Sequence, residues 1–221
     1  MTLILETNGK GFMCWVAELP GAFVRGASRD EIHRKLGAEI HAYAKWLNIA
    51  VPDDAPHQEE LIMTNAVVED GDTNILLEMD KESYKKPPEL DHDCHLMRLS
   101  AKKAQYTYQI CRNRDTVVPS KQRKTFYGDV YATIETQYRH VVGVQQYYLE
   151  SIGIQCQICG DLEATRETTI NEIHSRYLAE ANRLYRTADE DWTLRKVIRR
   201  IIWHDRIHER AMRRMNEELC T

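Results

Sequence analysis

Three histidines hold the clearest chemical potential in this chain: His140, His204 and His208. The last two lie in Trp203-His204-Asp205-Arg206-Ile207-His208, an H-x-x-x-H pair inside a long helical pattern. Four residues is just over one helical turn, so both imidazoles leave one face and can share a metal ion. His140 sits in an earlier helical run, Tyr138 to Val144. If those two helices face each other, three neutral imidazoles converge. At least one coordination position then stays open, which suits a catalytic site rather than a closed structural one. Spacing alone does not separate this from two histidines that merely share a face.

The elements that must position them follow a composition shift near Lys85-Lys86-Pro87-Pro88-Glu89. Double proline in a charged stretch predicts a linker. Beyond it the pattern turns helical, with helices expected over Leu96–Arg112, Gln122–Ser151, Thr169–Arg186 and Thr193–Leu219. Short connections predict a four-helix bundle, whose core commonly hosts metal sites. In the last helix Leu194, Val197, Ile198, Ile201, His204, Ile207/His208 and Ala211 follow one stripe, which turns both histidines inward. Asp189-Glu190-Asp191 places negative charge where the helix dipole favours it.

The segment Asp191 to Glu209, with its Trp192-Thr193-Leu194-Arg195 opening and His204-Asp205-x-x-His208 end, resembles the last helix of DinB-like metalloproteins. Tyr138 to Leu149 resembles their second helix, which supplies the first histidine. The resemblance covers about residues 93–221. It implies an all-α DinB-like four-helix bundle with His140, His204 and His208 as the ligand triad. It also implies a metal-dependent enzyme of small molecules, since some relatives transfer or isomerise thiol conjugates. The metal would be zinc, nickel or iron(II), and imidazole does not choose among them.

Residues 1–85 read differently. Leu3-Ile4-Leu5, Gly11 to Leu19 and Ala22 to Gly26 read as strands, bounded by turn signals at Asn8-Gly9 and Pro20-Gly21. Ser28 with Glu31 predicts a capping box. The helix from Arg29 to Leu47 places Ile32, Leu36, Ile40, Tyr43 and Leu47 on one stripe. Pro52 and Pro56 mark a loop, and Val67-Val68 and Ile75-Leu76-Leu77 suggest closing strands. This β-β-β-α-β order, with Glu18-Leu19-Pro20-Gly21, resembles HicB-like antitoxin domains. Such domains commonly accompany a DNA-binding module, and no helix-turn-helix is visible here. What carries over is a small α+β domain suited to a partner. The fold class is therefore α+β: a HicB-like domain over 1–85, a linker over 86–92 and a bundle over 93–221.

Composition narrows the function classes. Charged residues make up 29% and the net charge is -4, so no strong field attracts nucleic acid. No stretch approaches the roughly 20 apolar residues of a membrane span. The start lacks a basic region followed by an apolar core, so no signal peptide is expected. Scattered Cys14, Cys94, Cys111, Cys156, Cys159 and Cys220 are then expected as reduced thiols in a cytoplasm. Cys156-x-x-Cys159 is half of a zinc pattern and cannot close a tetrahedral site. Asp91-His92-Asp93-Cys94-His95 is rich in ligand types, yet Asp91 or Asp93 fits a helix cap. His33 and His41 read as surface residues, and His174 could approach the bundle core. Arg195, Lys196, Arg199, Arg200, Arg206, Arg210, Arg213 and Arg214 read as a solvated face. Glu135 sits about 140° round the helix from His140, a poor general base.

The expected activity is a thiol-dependent S-transferase or isomerase, or a hydrolase using the same open position. The expected partners are a small-molecule substrate, a low-molecular-weight thiol among them, and a protein partner for the N-terminal domain. A homodimer is among the assemblies open to it. The competing reading is a non-catalytic interaction or regulatory module with a structural or vestigial metal site.

Overall fold

The computed structural model describes residues 1–51, 58–125 and 128–221; Pro52 and Pro56 lie outside them. The chain divides into two units, Met1–Ile75 and Leu76–Thr221.

The first unit is a four-stranded sheet carrying one helix. The strands β1 (Thr2–Thr7), β2 (Phe12–Val16) and β3 (Phe23–Gly26) form an antiparallel meander. Its turns use glycine as expected, since Gly9 and Gly21 have φ of 84° and 83°, a region that only glycine enters without steric cost. Helix α1 spans Arg29–Leu47. Ser28 caps it by accepting from the Glu31 amide, while the Glu31 carboxylate reaches back to the Ala27 amide, one residue earlier than a capping box requires. Ile32, Leu36, Ile40 and Tyr43 bury against Leu3, Leu5, Cys14 and Val16 of the sheet. Each such aliphatic side chain contributes about 1.5–3 kcal/mol.

The closing strand is β4 (Gln58–Met63), parallel to β1 at the sheet edge. The expectation of closing strands at Val67-Val68 and Ile75–Leu77 is corrected. Val68–Asp70 is a 3-10 turn, and 75–77 is not strand. Apolar character there reflects burial: Val68 and Leu77 are fully buried.

The second unit is helical with two small hairpins. Its long helices are α3 (Pro87–Ile110), α4 (Ile134–Glu150), α5 (Leu162–Glu180) and α6 (Leu194–Leu219), preceded by a short α2 (Glu78–Lys81). Helix α6 packs on α3 and α4, and α5 packs on the same two. Ala101, Ala104, Val141, Leu162, Met212 and Met215 form part of the shared core.

Several boundaries differ from expectation. The linker expected over 86–92 is instead the N-cap, Lys86, and the first turn and more of α3. Pro87 and Pro88 occupy its opening positions, where the missing amide hydrogens cost nothing. Asp91 and Asp93 are thus inside the helix rather than capping it. The second helix starts at Ile134, not Gln122. Thr133 and Thr136 form a reciprocal cap there, and a hairpin of β5 (Lys124–Thr125) and β6 (Gly128–Asp129) precedes it. The third starts seven residues early, because Asp161 caps it by accepting from the Ala164 amide. It ends at Ala181, whose φ of 52° breaks the helix, and β7 (Tyr185–Arg186) pairs with β8 (Asp191–Trp192) beyond. Helix α6 is capped by Thr193 rather than by the acidic run.

Each unit has its own core. A 76–221 fragment is therefore expected to keep most of its helical circular-dichroism signal. Loss of that signal, with cooperative melting gone, would show that the second unit does not fold alone.

Candidate metal centre

Helix α4 presents His140 and helix α6 presents His204 and His208, and the three come together. Their nearest ligand atoms lie within 4.8 Å of one another, the one such group of three or more found among the described residues. His140 Nε2 and His204 Nε2 stand 2.9 Å apart. The ring centroids of His140 are 4.7 Å from those of His204 and 4.9 Å from those of His208. His204 is buried and the other two are half-buried.

Neighbours hold the rings in place. The Tyr131 ring stacks on His140 with centroids 4.4 Å apart. The edge of Tyr148 meets His204. His208 Nδ1 hydrogen-bonds the side-chain oxygen of Gln137. Asp205, next to His204 in sequence, serves another purpose. Its carboxylate accepts from both terminal nitrogens of Arg166 at 2.8 and 3.1 Å and from Ser100 at 2.5 Å.

Burial keeps the imidazoles neutral. His140 is lowered from the ordinary 6.5 to about 4 by desolvation. His204 is held well below its ordinary value first by burial, then by His208 and His140. His208 is lowered by burial, then by His140 and Lys121. Neutral imidazole is the form that donates a lone pair to a metal.

The donor set fits a divalent transition metal. Nitrogen ligands bound at about 2.0–2.1 Å in a tetrahedron sit roughly 3.4 Å apart, so the His140–His204 pair at 2.9 Å must open and any pair near the 4.8 Å limit must close. One proton must move. In the His140–His204 contact one Nε2 donates to the other, and an ion would displace that proton. Where His204 is the donor its proton moves to Nδ1, which is buried with no hydrogen-bond partner, at a cost of about 1–3 kcal/mol. Metal binding worth about 10–16 kcal/mol in zinc peptides outweighs that cost.

The pKa directions predict a pH dependence for the metal-free protein. The unfolded chain takes up protons near 6.5, whereas folded His140 does so only near 4. Between those values the unfolded state binds more protons, so stability falls as pH drops from 6.5 to about 4. The slope approaches about 1.4 kcal/mol per pH unit for each histidine held neutral. Urea midpoints measured across that range should decline, and a flat profile would contradict neutral buried rings.

Other candidates separate. Cys94 is buried, His92 and His95 are exposed, and Asp93 accepts from the Tyr84 hydroxyl. Cys156 and Cys159 are free thiols, half-buried and exposed. His174 lies at the surface 3.8 Å from Asp91. Glu135 is engaged by Tyr108 and Arg139. The cationic run of α6 is corrected: Lys196, Arg199, Arg200 and Arg206 are buried, and only Arg213 and Arg214 are exposed. Buried cations need partners, and Lys196 meets Glu190 at 2.7 Å while Arg199 meets Asp80 at 2.9 Å.

Gln137, Tyr131 and Arg166 escape sequence reasoning. Gln137 alone leaves a trace, standing three residues before His140 and so on its face of the helix. No protein-family model matches the chain, and no curated protein or solved structure matches it.

Proposed function

We propose that the chain is a metal-dependent enzyme of small molecules, a thiol-dependent S-transferase or isomerase of the DinB-like kind, with a HicB-like N-terminal domain that binds a protein partner. The observation that carries the reading is the convergence of His140, His204 and His208. Among the described residues no fourth His, Cys, Asp or Glu joins them, so a four-coordinate ion held there would have a position that these side chains do not fill. All three ligands are uncharged, so the full charge of a divalent zinc, nickel or iron ion would act on what binds beside them. When bound, such an ion supplies Lewis acidity that lowers the pKa of a thiol or water. The chain's part is to hold the donors, keep them neutral and exclude water on the Tyr131 and Tyr148 sides.

The N-terminal half of the reading is supported by the edge strand β4, where Leu61 and Met63 are 53% and 67% exposed. Exposed apolar side chains on a sheet edge suit an added partner. Among the described residues no helix is long and apolar enough to cross a membrane.

The test is elemental analysis of the purified protein, followed by a transfer screen with several small thiols before and after chelation. Metal-dependent turnover of one thiol supports the proposal. Chelation should lower the melting temperature while most helicity survives, because the helical core does not depend on the ion. Stoichiometric metal with no thiol-dependent or hydrolytic turnover would favour the non-catalytic alternative.

A further inference from the structure

We propose that Gln137 is a positioning residue that sets the tautomer of His208 and so turns its Nε2 toward the other two histidines. This rests on the metal-site reading above for its consequence, though not for its geometry.

Three groups are linked in series: the Tyr131 carbonyl, the Gln137 amide and the His208 ring. The Gln137 side chain is almost fully buried, at 3% exposure. Its amide nitrogen donates to the main-chain carbonyl of Tyr131 at 2.8 Å. A carbonyl oxygen can only accept, so the NH2 end must face Tyr131 and the oxygen must face the other way. That oxygen contacts His208 Nδ1. Amide oxygen can also only accept, so Nδ1 must carry the hydrogen. The lone pair of His208 is thereby placed on Nε2.

The arrangement differs at the other histidines. His204 Nδ1 has no hydrogen-bond partner, and Nε2 of His204 faces Nε2 of His140. Among these contacts only His208 has its tautomer dictated by a group that cannot itself switch. Gln137 and His140 lie three residues apart on α4, so one helix face delivers both a ligand and the group that orients a ligand from α6. Tyr131 anchors both, its carbonyl holding the amide and its ring lying on His140. Groups that orient metal-bound histidines typically alter affinity 10- to 100-fold when removed.

The experiment uses the 15N-labelled full-length protein. Long-range 1H–15N spectra of the metal-free form read the His208 tautomer directly, and zinc competition with a chromophoric chelator reads affinity. The wild type should show His208 protonated on Nδ1. Gln137→Leu should lose that preference and weaken zinc 10- to 100-fold. Gln137→Glu keeps an acceptor for His208 but gives up the donor to Tyr131; it should retain the Nδ1–H tautomer and bind zinc more tightly than the leucine variant. A wild-type His208 protonated on Nε2 overturns the proposal. So does a leucine variant with unchanged tautomer, or one with a changed tautomer and unchanged zinc affinity. If the tautomers respond as described and the wild type takes up no metal, the positioning of His208 stands and the metal-site reading falls. A general loss of packing would lower the melting temperature of both variants without separating their tautomers.

Discussion

Asp205→Ala is expected to lower the unfolding free energy by about 3–5 kcal/mol. Asp205 and Arg166 are 2% and 1% exposed. Arg166 also donates to the Gln145 side chain and the Met97 carbonyl, and Ser100 donates to Asp205. The cluster thus joins α3, α4, α5 and α6. Removing the carboxylate leaves a buried guanidinium without its counter-charge, and water cannot reach it to compensate. Since a domain is stable by about 5–15 kcal/mol in all, that loss is a large share. Glu167→Ala breaks the Arg98–Glu167 pair, whose side chains are 44% and 52% exposed, and should cost less than about 1 kcal/mol. The double change Arg166→Met with Asp205→Leu should recover much of the loss, because an apolar pair carries no desolvation penalty. Urea unfolding of the four proteins checks this. Equal effects for Asp205→Ala and Glu167→Ala would refute a special role for the buried pair.

The second large effect concerns the histidines. His140→Ala, His204→Ala and His208→Ala should each weaken metal binding by more than the 10- to 100-fold typical of losing an orienting neighbour. Each removes one of three donors, and no other ligand group stands ready among the described residues. His92→Ala and His174→Ala should leave affinity unchanged, since His92 is exposed and His174 faces Asp91. Competition titrations with a zinc chelator would settle the order. Unchanged affinity in His140→Ala would leave α4 out of the site and reduce it to a pair on one helix.

The His204–His208 pair was legible because it rests on periodicity: two residues four apart on an apolar stripe must share a face. Periodicity does not bring His140 to them, and its place in the triad came from the resemblance alone. Helix α1 was legible for the same reason, with Ser28 marking its start. The meander followed from glycines at tight turns. The closing strand was not legible, since Gln58, Glu59 and Glu60 lie exposed at a sheet edge and show no alternation. Pro87-Pro88 misled because proline starts a helix as readily as it stops one. The buried cations of α6 were hidden for a deeper reason. Whether Arg199 or Lys196 faces water depends on Asp80 and Glu190, and spacing along α6 says nothing of either. Gln137 was missed because a neutral amide carries no charge pattern, and its role exists only once Tyr131 and His208 flank it.

The proposed function turns on one ion held by these three imidazoles. Zinc K-edge X-ray absorption of the full-length protein, loaded with one equivalent of zinc and freed of excess, counts them directly. The account predicts about three nitrogen ligands with imidazole scattering at about 2.0–2.1 Å, one further light atom and no sulfur. A first shell containing sulfur, which would point to Cys156 and Cys159, or one with a single imidazole, would contradict it.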